Sequence, residues 1–154
     1  MKRAEIEEKY KWDLSGYFKS DEDFYEEYEN LKGHLGDFKK YKGKLANESL
    51  LLECLRLDDH ISLRLEILYV YASLKTREDA TNSFYRERLT LVETLGSKFA
   101  SETTFIDIEV KKYKNTDLKR LSESTEFTNY FKDMIRSKRL ILSEKEEQII
   151  LVEY

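Results

Sequence analysis

The sequence predicts an all-α protein: an antiparallel helical bundle of stacked helical hairpins built around one long central helix, about residues 47–75. Three observations carry that prediction. The 154 residues include no proline, and chains built from sheets and tight loops normally use several. Apolar residues recur at steps of three and four along most of the chain. Residues 47–75 form a Leu- and Ile-rich run with neither Gly nor Pro. One face of that run reads Leu50, Cys54, Leu57, Ile61, Leu65, Leu68 and Ala72, the spacing of one side of an α-helix. A second row reads Leu63, Ile67, Val70 and Leu74. Two rows at different angles predict neighbours on more than one side. Such a helix would be roughly 42 Å long, so the other elements must pack along it.

Taken in order, residues 1–19 read as an extended lead-in and residues 20–154 as a single helical domain. The cluster Tyr10, Trp12, Leu14, Tyr17 and Phe18 around Gly16 suits an anchor laid across a helical body, since burying one aromatic is worth about 2 kcal/mol. Ser20 with Asp23 forms a capping box, and Asp21, Glu22 and Asp23 suit the positive helix end. Phe24, Tyr28, Leu31, Leu35 and Phe38 then alternate by four and three, the seam of an antiparallel hairpin. Gly33 and Gly36 cost up to ~1 kcal/mol each relative to Ala unless they permit a close crossing. Gly43 ends the segment within a Lys-rich tail. Asn47 caps the central helix. A third helix is expected over 79–101, with Phe84, Leu91, Leu95 and Phe99 on one line and Tyr85, Leu89 and Val92 beside it. Residues 103–113 are expected to bend, because no second strand is present to pair with them. A short helix over 117–122 follows, then another with Phe127, Tyr130, Phe131, Met134 and Ile135 inward. Ser143 with Glu146 caps a last helix that has just begun at Tyr154. That ending is expected of a longer protein truncated near residue 154.

Composition excludes several classes of function. Eleven Tyr, eight Phe and one Trp mark a folded chain. A net charge of −4 argues against a nucleic-acid binder, which needs a concentrated basic surface. No apolar run reaches membrane-spanning length and no signal-peptide core opens the chain, so a cytoplasmic protein without a membrane partner is expected.

No complete catalytic set is legible. His34 and His60 belong to no H-E-x-x-H pair. Asp58, Asp59 and His60 are adjacent on a helix, where side chains diverge by about 100° and do not converge on a metal. Cys54 lies on an apolar line, the place of a small core residue, and His60 is off its face. Glu26, Glu27, Glu29, Glu144, Glu146 and Glu147 read as solvated carboxylates on polar faces. Lys132, Arg136, Lys138 and Arg139, with Glu126 and Asp133 among them, read as a solvated face and helix-end charge. Trp12 reads as packing rather than as a ligand-stacking ring. Catalytic, cofactor-binding and metal-binding residues are therefore all expected to be absent.

The run Tyr10-Lys-Trp12-Asp-Leu-Ser15, then Phe18 and an acidic helix start, resembles the N-terminus of the oligoendopeptidase F family. So do Tyr41-Lys-Gly-Lys-Leu45, Tyr71-Ala-Ser-Leu74, Phe105-Ile-Asp-Ile-Glu109 and Leu142-Ser-x-x-Glu146-Glu147, in that order over nearly the whole chain. One departure is Ile108, where the family often carries a Pro before the Glu. The resemblance implies a thimet-type cytoplasmic zinc metalloendopeptidase for short peptides, almost wholly helical, with a deep channel between lobes. It further implies that zinc is held by an H-E-x-x-H helix and a later Glu in a C-terminal lobe, and none of these maps here. On this reading the chain is a channel-wall lobe, inactive alone, whose partners are the missing C-terminal lobe and, in the parent enzyme, short peptides. An apolar face left open would drive self-association. The alternative is a free-standing helical protein–protein interaction module. An in-frame H-E-x-x-H beyond Tyr154 would favour the first, and a natural stop codon the second.

Overall fold

The computed structural model describes residue 7 and residues 12–140, with the side chains of Arg139 and Leu140 left aside. Five α-helices lie among the described residues: α1 (Asp21–His34), α2 (Glu48–Glu78), α3 (Ser83–Val110), α4 (Asn115–Ser124) and α5 (Thr128–Leu140). No strand occurs among the described residues, so the protein is all-α as its pattern predicts. The expected last helix, with Glu144, Glu146 and Glu147, lies outside the described residues, as does Tyr10.

The chain divides into two compact units between Thr104 and Phe105. In the first, the Ser20 hydroxyl accepts from the Asp23 amide and the Ser20 amide donates to the Asp23 carboxylate, each at 3.1 Å. The capping box is thus formed from both sides. Helix α1 ends at His34 and tightens into a 3-10 turn over Leu35–Lys40, which keeps Leu35 and Phe38 buried. Gly33 and Gly36 do not mark a close crossing: a Cβ at either would meet nothing within 4 Å. Gly43 has φ +79°, a left-handed turn before α2 that favours glycine.

The Asn47 side chain accepts from the Leu50 amide at 3.2 Å and caps α2 as expected. Helix α2 runs on to Glu78, about 46 Å at 1.5 Å per residue. Its main row is buried at Cys54, Ile61, Leu65, Leu68 and Ala72. Its second row is not, and Leu63 is 58% exposed. Leu51, Leu55 and Tyr71 are buried instead, because the neighbouring elements flank the main row rather than the second. The lead-in anchors through Leu14, which is buried, and Phe18, whose ring meets Phe24 and Tyr71 edge-on. Trp12 is 53% exposed and packs no core.

The bend expected over residues 103–113 is overturned, since α3 continues to Val110. The Thr103 and Thr104 hydroxyls donate to the carbonyls of Phe99 and Ala100 at 3.1 and 2.7 Å. Their hydroxyls are thus satisfied by the preceding turn of the helix itself. Ile108, in place of a proline, keeps its amide, so the ladder is not interrupted.

In the second unit, α4 and α5 pack as a helical hairpin, with Leu118, Leu121, Phe127, Phe131 and Met134 buried. The Tyr130 hydroxyl donates to Asp107 at 2.9 Å, and Lys138 Nζ donates to the Tyr113 carbonyl at 2.6 Å. Lys138 therefore clamps the turn after α3 and is not a solvated charge. Lys132 and Arg136 do sit on the exposed face, with Arg136 paired to Asp133 at 3.1 Å.

Candidate functional site

The first unit carries two features that sequence reading missed: a buried guanidinium box and an open groove. The box is built by α1, α2 and α3. Arg88 sits on α3 between the rings of Phe84 and Tyr25, whose centroids lie 4.0 and 4.8 Å from its Cζ. The Phe24 and Tyr85 rings lie farther out at 5.3 and 5.8 Å. Arg88 is fully buried. Its Nη1 donates to Asp21 Oδ1, and its Nε lies 3.4 Å from the Tyr25 hydroxyl. Nη2 has no hydrogen-bond partner among the described residues.

Burial alone would lower the Arg88 pKa, but its bonds to Asp21 and Tyr25 outweigh that and raise it. The bond from Arg88 holds the Asp21 carboxyl below the usual carboxylate range. Burial, with the Asp21 charge beside it, raises Tyr71. A guanidinium keeps its proton, so this arrangement ties three helices together and does not relay protons. A signal for it exists in the sequence. Arg88 falls on the three-four line Tyr85, Arg88, Val92, Leu95 and Phe99, a lone cation among apolar positions.

A second clamp joins α1 to α2. Arg64 grips Glu27 in a bidentate pair, Nε to Oε1 at 2.5 Å and Nη2 to Oε2 at 2.7 Å, and Nη2 also donates to Asn30 at 2.8 Å. Glu27 is thus a partly buried ion-pair partner, and the expectation of a solvated carboxylate is corrected there. The Glu27 bond raises the Arg64 pKa. Glu26 and Glu29 are exposed as expected, Glu29 within reach of Lys32 at 3.1 Å.

The remaining candidates do not converge. His34 bonds Asp37 at 2.8 Å. His60 is exposed, 3.4 Å from Arg64 Nη1. Cys54 is fully buried in the core. No group of three His, Cys, Asp or Glu side chains able to hold a metal occurs among the described residues. No helix among them is long and apolar enough to cross a membrane.

The groove, about 540 Å³, lies between α2 and α3 and is lined by Leu65, Glu66, Tyr69, Val92, Glu93, Gly96, Ser97 and Ala100.

Comparison with known proteins places this scaffold. Over 153 residues the chain is 31% identical to the group B oligopeptidase PepB of Streptococcus agalactiae, covering 96% of this chain and 26% of that protein. It is 29% identical to oligopeptidase PepF of Bacillus subtilis, over 96% of this chain and 23% of the relative. It is 34% identical to the plasmid oligoendopeptidase F of Lactococcus lactis subsp. cremoris, over 96% of this chain and 26% of the relative. This chain is homologous to the oligoendopeptidase F proteins. It spans about a quarter of the length of the curated relatives it matches. No family model matches it, and no solved structure matches it significantly.

Proposed function

We propose that this chain is the N-terminal lobe of an oligoendopeptidase F-like zinc metalloendopeptidase, a cytoplasmic enzyme that cleaves short peptides. Its role there is to wall the substrate channel and limit which peptides reach the catalytic centre. The observation that carries this reading is the match of 96% of the chain to 23–26% of proteins named as oligopeptidases. The architecture suits it: long helices cross-linked by the Arg88 and Arg64 clamps make a stiff scaffold. The described residues do not fit a zinc site, so no step of metal chemistry is assigned to them. In the parent enzyme the zinc and its activated water belong to the C-terminal lobe.

The chain alone is therefore expected to hydrolyse nothing. Incubation with zinc and a quenched fluorescent peptide tests this. A flat trace fits the proposal, whereas turnover abolished by a chelator would show that the chemistry sits in this lobe.

A further inference from the structure

The α2–α3 pair is antiparallel, and residues equidistant from the connecting turn lie level. The Thr76 hydroxyl donates to the Tyr85 carbonyl at 3.1 Å. Farther along the pair, Leu65, Glu66 and Tyr69 of α2 and Val92, Glu93 and Gly96 of α3 line one groove. Farther out, α3 offers Gly96, Ser97 and Ala100, and a Cβ built on Gly96 meets nothing within 4 Å. The result is the 540 Å³ groove, within the range that accepts small ligands and side chains. Its walls are apolar: Leu65 and Val92 are buried, and the Tyr69 ring is 46% exposed. Its rims are acidic, with Glu66 on α2 and Glu93 on α3, both exposed. Neither carboxylate has an ion-pair partner among the described residues.

An apolar floor between two unneutralised carboxylates repels acidic occupants and favours cationic ones. We propose that the groove binds a short peptide, seating one apolar side chain over Gly96 with Lys or Arg residues against Glu66 and Glu93. It is thus a subsite that recruits basic, apolar peptides. The choice of a short peptide rests on the proposed peptidase reading. The apolar and cationic chemistry rests on the groove itself.

The test is direct binding to this chain, without turnover. Fluorescence anisotropy follows a dye-labelled octapeptide with Leu and Phe at its centre and Lys on either side. Saturable binding is expected, with a counterpart carrying Glu for Lys bound at least about tenfold more weakly. Gly96→Phe fills the floor, and the Glu66→Lys, Glu93→Lys pair reverses the rims; each is expected to weaken binding about tenfold. Circular dichroism and a urea midpoint confirm that both variants fold. No saturable binding, equal binding of the acidic peptide, or binding untouched by Gly96→Phe overturns the inference. So does a concentration-dependent dimer that Gly96→Phe dissolves, which would make a second copy the occupant. Any of these outcomes leaves the zinc-turnover test of the peptidase reading unaffected.

Discussion

On one flank of the α2–α3 pair, α1 brings Asp21, Phe24 and Tyr25 over the helices, and Arg88 fills the remaining space with its own side chain. On the other, Gly96, Ser97 and Ala100 present almost no side chain, and the space stays open. The same two helices thus carry a sealed flank and an unsealed one. The contrast follows from side-chain size and from where charge is neutralised. Arg88 is a cation with a carboxylate and four rings around it. Glu66 and Glu93 are anions without a cation across the gap among the described residues. A flank built like the first transmits stability. One built like the second gives up packing for access.

The comparison can be broken hardest at Arg88. Arg88→Ala removes the stacking and the Asp21 pair and leaves a cavity, so a loss of about 3–5 kcal/mol is expected from urea denaturation. An unchanged midpoint would mean that the box is decorative. Arg64→Ala, at a partly exposed clamp, is expected to cost less, about 1–2 kcal/mol.

Asp21 sharpens the same point through pH. Its folded pKa is depressed by Arg88, so its stabilisation is present above the unfolded carboxylate value and is lost as pH falls through the folded one. Wild-type stability should therefore decline below about pH 4. Asp21→Asn is expected to flatten part of that decline while lowering stability at neutral pH. Identical slopes for the two proteins would remove Asp21 from the account. The smallest effect has the opposite sign. Gly96→Ala, on the open flank, is expected to stabilise by about 0.5–1 kcal/mol, because a Cβ there meets nothing and helix propensity improves. A loss in the thermal midpoint would mean that the groove floor is already occupied.

Helix content, the Ser20 and Asn47 caps and most of the buried seam were legible in the sequence. The Glu27 pair and the Arg88 box were not. Both join residues far apart in the chain, 37 and 67 positions respectively. Local periodicity reports which face of a helix is apolar, but not which distant side chain meets it. The bend expected after Ser101 failed for a related reason. Thr103 and Thr104 weaken a helix on propensity alone, yet the helix continues, with their hydroxyls satisfied by its own preceding turn.

The order of amino acids by itself determined that this is a helical scaffold, that its first two helices start after Ser20 and Asn47, and to which proteins it is related. Those properties depend on spacing, capping side chains and residue identity within short windows of chain. Only the tertiary structure decided that Arg88 is enclosed while Leu63 is bare, and that one side of the α2–α3 pair is open. Burial depends on which helix lies alongside, and that is set by packing among all of them at once.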